Sequence, residues 1–217
     1  MGSPMKLCLK GRLLFLTAAA ALQLAVLVSA VTYTARVKTC AVKENRIVSF
    51  RCAARDPFNA FKGRYLALRL TGGDDAPLME LDARSFVEFP PDTVERRTVY
   101  CCAEECGDGL HKITALRQTL PRDGKLYLKG RLLYAGRAHE KESPVIDFPF
   151  TEYYMQEEYA HFIEALPAHD FSALKPALTL FVDKGGRCIQ NALTVASGDG
   201  ERIKIEEYCK RELQKKR

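Results

Sequence analysis

The chain has 217 residues, 47% of them hydrophobic and 28% charged, with no tryptophan; that length suits one compact domain with an appendage. Ordinary glycine and proline contents, 14 and 10, exclude collagen-like, linker-like and broadly disordered chains. The formal charge is +6, but Lys6, Lys10 and Arg12 lie in the first dozen residues, and beyond residue 31 there are 30 basic and 27 acidic residues. That is not the balance of a dedicated nucleic-acid binder.

From Leu13 to Val31, nineteen residues run without a charge. As a helix the run would span about 28 Å, close to a hydrocarbon core of ~30 Å. Thr17, Gln23 and Ser29 are its polar side chains, and the two hydroxyls can return to backbone carbonyls. We read the run as a retained transmembrane anchor. A cleaved secretory signal is the alternative: Val28-Ser29-Ala30 fits the small-residue cleavage rule, although the run exceeds the usual apolar core of ~7–15 residues. A buried core helix fits least, because every face is apolar. Lys6, Lys10 and Arg12 precede the run, while Arg36, Lys38, Lys43 and Arg46 follow it. The positive-inside rule therefore gives nearly a tie. A signal-anchor layout places the amino terminus inside and the large domain outside. The expected organisation is a cytoplasmic stub and anchor over 1–31, an extracytoplasmic β-rich domain over 32–205 and a charged tail over 206–217. Such a chain is a single-pass protein of the cytoplasmic membrane, with the lipid bilayer as one partner.

After the anchor, short apolar runs alternate with turn signals, the pattern of antiparallel β structure. Strands are predicted over Arg46–Ala53, Tyr65–Thr71, Leu78–Leu81, Arg97–Ala103, His111–Thr119, Lys125–Tyr134 and Val145–Phe148. Leu66, Leu68 and Leu70 share one face, and Tyr65, Ala67 and Arg69 the other. Turns are predicted at Gly72-Gly73-Asp74-Asp75, Pro90-Pro91, Gly107-Asp108-Gly109 and Pro121-Arg122-Asp123-Gly124. Met155, Tyr159, Phe162, Ile163 and Leu166 recur at helical spacing before Pro167, predicting one short helix against the sheet. A hairpin follows, from Ala177–Asp183 through Lys184-Gly185-Gly186 to Arg187–Ala196. Glu206–Arg217 reads as helical or frayed. The fold class is thus mainly β (α+β): a transmembrane helix, then an antiparallel sheet or barrel-like domain with one short packed helix.

The stretch Asp56-Pro57-Phe58-Asn59-Ala60-Phe61-Lys62-Gly63-Arg64-Tyr65-Leu66-Ala67-Leu68-Arg69-Leu70 resembles the signature of the GDYXXLXY family of bacterial membrane-anchored proteins. In that family a D-P-x-D-x-F/L-x-G-D-Y-x-x-L-x-Y stretch follows one amino-terminal membrane helix. Leu128-Lys129-Gly130-Arg131-Leu132 resembles a later strand of the family. Asp147-Phe148-Pro149-Phe150-Thr151-Glu152-Tyr153-Tyr154 resembles the segment that enters its short acidic helix, and the hairpin at Val182–Arg187 also fits. The resemblance implies a bacterial envelope protein with no established enzymatic activity. Asp56, Pro57, Gly63, Tyr65 and Leu68 carry the signature, with Asp56, Arg64 and Tyr65 as candidate ligand-facing residues. Two positions depart: Arg64 stands where the family usually has Asp, and Leu70 where it usually has Tyr. Physically, Pro57 biases Asp56 away from helix and Gly63 permits a close approach or positive φ before the strand. The motif reads first as a rigid loop-to-strand corner; a ligand-facing loop is the functional alternative.

Eight cysteines are present, seven of them beyond the anchor: Cys40, Cys52, Cys101, Cys102, Cys106, Cys188 and Cys209. An odd number leaves at least one thiol outside any intramolecular disulfide. Cys40–Cys52 and Cys188–Cys209 are candidate pairs in an oxidising compartment. Cys101, Cys102 and Cys106 with His111 form the cluster with most metal character, but neighbours on a strand face opposite ways, and no C-x-x-C pair occurs. Neither a metal nor a cofactor is expected. His161 beside Glu157 and Glu164 reads as a solvated ion pair. Ser49 is the serine weighed for a Ser/Lys dyad, without a motif to support it. The leading functional reading is a non-catalytic binding or assembly module for another integral membrane protein. A membrane-tethered hydrolase or peptidase with a non-standard site, and an extracytoplasmic thiol- or metal-handling protein, are the alternatives.

Overall fold

The computed structural model describes residues 4–54, 58–59, 63–71, 78–89, 96–106, 109–122, 124–135, 144–196 and 201–215. Helix α1, Pro4–Lys43, carries the apolar run and continues unbroken for twelve residues beyond Val31. Within it the hydroxyls of Thr17 and Ser29 return to Leu14 O (2.9 Å) and Ala25 O (2.7 Å), so the polar side chains satisfy themselves inside the helix. Its apolar face from Leu14 to Val31 is exposed all round, whereas Val37 and Ala41 are buried against Phe181. One helix therefore has two surroundings: nothing but solvent-facing apolar side chains first, then a packed protein surface.

The remainder is built from strands β1 (Ile47–Ala54), β2 (Phe58–Asn59), β3 (Gly63–Leu70), β4 (Arg97–Glu105), β5 (His111–Arg117), β6 (Tyr127–Tyr134), β7 (Val145–Asp147), β8 (Glu152–Tyr154), β9 (Ala177–Val182), β10 (Cys188–Ala196) and β11 (Arg202–Lys204). Among the described residues they form two antiparallel sheets. The larger runs β11-β10-β9-β1-β3-β2, with β8 also on β3; the smaller runs β5-β4-β6-β7. Alternation sets the inner faces. Val48, Phe50 and Cys52 of β1 and Leu178, Leu180 and Val182 of β9 point to one core, which Val99 and Cys101 of β4, Ile113 of β5 and Leu128 and Leu132 of β6 fill from the other side. Strand β9 reads as a nearly continuous apolar run because both its faces are covered, the inner by the core and the outer by α1 through Phe181.

Four short helices cover what the sheets leave open: α2 (Ala83–Glu88), α3 (Glu157–Glu164), α4 (Ala168–Ala173) and α5 (Ile205–Lys215). Phe162 of α3 meets Tyr208 of α5 edge-on at 6.3 Å, and Ile205 and Cys209 of α5 are fully buried. The charged carboxyl end is thus a packed amphipathic helix rather than a frayed segment.

The mainly-β expectation with an apolar amino-terminal helix holds, with three corrections. The sheets do not close into a barrel among the described residues. Helical cover comes from four short helices rather than one, because α2, α4 and α5 are too short or too polar to show a long apolar period. Leu78–Leu81 is not a ladder strand: it makes one parallel bridge, Met79 to Ile113, as the chain passes β5. The hairpin is as expected, with a bulge between Gln190 and Ala192. Its turn sits against β6: Lys129 N donates to Gly186 O at 2.6 Å, and a Cβ on Gly186 (φ +78°) would lie 3.0 Å from Tyr127 O. Glycine is needed there for both backbone conformation and space.

Candidate functional site

Of the signature residues, Asp56 and Pro57 lie outside the described residues. Gly63 and Arg64 open β3, opposite Asn59 and Phe58 of β2. Tyr65 pairs with Tyr154 of β8, their rings 5.7 Å apart and tilted. Leu66 and Leu68 enter the core as their alternation requires, while Arg69 faces solvent. Tyr65 and Leu68 also line an open cleft of about 590 Å³ where the two sheets diverge between β3 and β7. Its walls are mostly apolar, among them Leu70, Met79, Val145, Ile146 and Phe148, with Arg69, Asp147, Thr151 and Glu152 also in the lining. Val145 is 50% exposed and Tyr154, beside Tyr65, is 53% exposed. Strand β7 is the outer strand of its sheet among the described residues, so the cleft adjoins a free edge. The sequence points to β3 through its signature. The opposite wall joins it only in three dimensions, and no local pattern marks Val145 or Met79.

A larger cleft of about 730 Å³ lies on the outer face of the four-stranded sheet, lined by Cys102, Tyr127 and many charged side chains. Most of these charges are paired. Asp82 caps α2 by accepting from Ser85 N (2.9 Å) and Ser85 Oγ (2.5 Å), and it forms a bidentate pair with Arg117. Ser85, 1% exposed, accepts in turn from Leu116 N at 2.9 Å. The Arg117 guanidinium and these hydrogen bonds hold the Asp82 carboxyl well below the usual carboxylate range. Lys112 pairs with Glu80, and Lys125 with Glu104 at 3.3 Å. The arrangement is a clamp that fastens α2 to β5. Asp82-Ala83-Arg84-Ser85 has the form of a helix start, a signal that sequence reasoning passed over.

The cysteines do not converge. Cys101 lies in the central core, Cys102 on the opposite face with Ala115 and Tyr127, and Cys106 is exposed beyond β4. Cys40 is exposed on α1 while Cys52 is buried, and neither this pair nor Cys188 with Cys209 is joined. Burial pushes the thiols of Cys52, Cys188 and Cys209 up to about 12, and that of Cys101 higher still. These sulfurs stay neutral thiols and are poor nucleophiles and poor metal ligands at neutral pH. Among the described residues no three His, Cys, Asp or Glu side chains are grouped to hold a metal ion. Ser49 Oγ shares a hydrogen bond with Thr179 Oγ1 at 2.9 Å, and its amide meets His111 Nδ1 at 3.3 Å; its hydroxyl partner is not a lysine. His161 lies 3.7 Å from Glu157 and 3.4 Å from Glu164 on the exposed face of α3.

A third cleft, about 480 Å³, opens between α1, the hairpin turn and β6, and is lined by Tyr33, Lys129, Arg131, Asp147 and Arg187. Asp147 lines both this cleft and the apolar one.

With the apolar amino-terminal helix, signature strand and two sheets in place, comparison with known proteins adds one finding. The family described as GDYXXLXY protein matches residues 23–193. The chain belongs to the GDYXXLXY family. The match starts inside α1 and ends in β10, so it takes in the second half of that helix and the strands from β1 into β10, and leaves out β11 and α5. Neither a curated protein nor a solved structure matches the chain.

Proposed function

We propose that this GDYXXLXY protein is a single-pass, amino-terminally anchored component of the bacterial envelope, with its β domain outside the cytoplasm acting as a non-catalytic binding module for another integral membrane protein. The observation that supports the reading is that the apolar cleft shares a lining residue with the cleft beside the apolar amino-terminal helix. Asp147 is shared by the cleft at Tyr65 and Leu68 and by the one that Tyr33 lines, and Tyr33 follows the apolar run by two residues. A partner segment reaching the apolar cleft therefore lies close to the membrane surface, where an integral protein presents its loops. The walls suit an extended segment bearing apolar side chains: side-chain pockets lie beside the free edge of β7, and edge pairing plus pocket filling is a recurrent mode of peptide recognition.

Docking of α1 supports the same reading. Val37 and Ala41 pack on Phe181, Tyr33 Oη donates to Asp183 Oδ2 at 3.1 Å, and Lys184 meets Glu44 at 2.8 Å. The domain is held at a set height above the end of the apolar run rather than on a loose tether, which lowers the ordering cost of meeting a partner in the same membrane.

Carboxyl-terminal fusions to alkaline phosphatase and to a fluorescent protein test the sidedness. Phosphatase activity confined to membranes is the expected result; fluorescence without phosphatase activity would overturn it. Crosslinked membranes should return one integral membrane protein with the wild type, in amounts that fall on Val145→Glu. Recovery unaffected by that change would remove the cleft from the account.

A further inference from the structure

The cleft beside α1 gathers positive charge at the level where the helix leaves its apolar run. Tyr33 lies about 3 Å along the helix from Val31, at 1.5 Å per residue, and is 41% exposed; aromatic side chains at this depth mark the headgroup layer. Lys129 and Arg131 are two apart on β6 and so project from one face, their Cα atoms about 7 Å apart. Arg187 is brought beside them because the turn before it is pinned to β6 by the Lys129 N to Gly186 O hydrogen bond. Thr98 of β4 adds a hydroxyl to the lining.

The acids nearby offset this group only in part: Asp147 stands opposite Arg131 across the β6–β7 pair, beyond ion-pair distance. Asp183 is occupied by Tyr33 Oη and by the amides of Gly185 and Arg187, both at 2.8 Å. Among the described residues no carboxylate lies within ion-pair distance of Lys129, Arg131 or Arg187. Asp147 is the one acid in the lining, against three cations. The contrast with the cleft above α2 is direct: there Lys112, Arg117 and Lys125 pair with Glu80, Asp82 and Glu104. Two guanidinium groups and an ammonium around a concavity match the oxygens of a phosphate group, arginine in bidentate fashion.

We infer that the cleft formed by Tyr33, Lys129, Arg131 and Arg187 binds a phosphate group, supplied by the headgroup of an anionic phospholipid or by a free phosphoanion. The lipid source rests on the proposal that α1 crosses the bilayer; the phosphate chemistry of the cleft does not. A basic side chain at a membrane surface contributes about fivefold to affinity for anionic lipid, so three acting together predict a loss well above tenfold when all are neutralised.

The test uses the full-length chain in nanodiscs of phosphatidylcholine containing a minor fraction of phosphatidylglycerol, with retained lipid measured after mild detergent exchange. Wild-type protein should retain phosphatidylglycerol at least tenfold above its bulk proportion. The Lys129→Gln, Arg131→Gln, Arg187→Gln variant should retain it at the bulk proportion. A control that neutralises Lys204, Lys210 and Arg211 instead should match wild type. Arg187→Glu alone, at an exposed turn position, serves if the triple variant unfolds, and should lose most of the enrichment. A parallel calorimetric titration with inorganic phosphate separates the sources: phosphate binding lost in the triple variant, without lipid enrichment, assigns the cleft to a free phosphoanion. Lipid retention and phosphate binding both unchanged by these substitutions would overturn the inference. Carbonate extraction of wild-type membranes reads the anchor separately, so failure of anchoring and failure of the cleft give different results.

Discussion

The two clefts flanking the four-stranded sheet differ in how their side chains are spent. The outer cleft is the larger and more charged, yet Asp82, Glu80 and Glu104 are committed to Arg117, Lys112 and Lys125. The cleft between β3 and β7 is smaller and lined by apolar groups with little to hold them but each other. Charge density on its own is therefore a poor guide to a working surface in this protein. What distinguishes the second cleft is apolar area next to a strand that is outermost among the described residues, the kind of feature that a binding partner can convert into affinity. Closed networks give stability and open ones give recognition.

That contrast can be broken in graded ways. The largest effect is expected where the sheets that frame both clefts meet: Phe50→Ala removes a fully buried ring from the intersheet core and should cost about 3–5 kcal/mol of unfolding free energy, measured by chemical denaturation of the full chain in detergent. Next is Ser85→Ala in the charged clamp. It leaves Leu116 N without the hydroxyl that it donates to, an expected loss of about 1–3 kcal/mol, with partner recovery unchanged.

A smaller effect follows from pH. The Asp82 carboxyl is depressed in the folded protein, so its contribution is fully present above the unfolded value near ~3.9 and is lost as pH falls from there through the depressed folded value. Asp82→Asn should remove that part of the acid limb, flattening the melting temperature against pH below about 4 relative to wild type. The side chain is partly exposed and the pair solvent-screened, so the difference should shrink further in high salt. The smallest effect on stability, within about 0.5 kcal/mol, is expected for Tyr154→Ala, whose exposed ring lies against Tyr65 of the apolar cleft, and the readout that should move is partner recovery.

Much of the frame is legible in the sequence. The uncharged run, the alternation in Tyr65–Leu70, the stripe at Phe162 and Ile163 and the Gly185-Gly186 turn each carry a local period or a residue type that only one structure satisfies. What escaped is what local pattern does not encode. Closure of the sheet into a barrel depends on long-range register, which Leu78–Leu81 in particular does not supply, since its neighbour along β5 is parallel and a single bridge. For α5 the helical reading was open, but not its packing, because its apolar stripe rests on few residues, Ile205, Tyr208 and Cys209 among charges. At the candidate site the signature gave β3, because glycine and alternating leucines announce a strand entry. Val145, Ile146 and Met79 come from other elements and meet β3 only after folding. The placement of Cys101 and Cys102 on opposite faces was legible for the converse reason: a strand turns successive side chains to opposite sides whatever their closeness in sequence.

The most direct test places a photo-crosslinking amino acid at Val145, in the apolar cleft, or at Arg84, beside the charged one, in the full-length protein within intact membranes. The account predicts a discrete crosslinked product containing an integral membrane protein from position 145, and little or none from position 84. Equal products from both positions, or a product from position 84 alone, would contradict it.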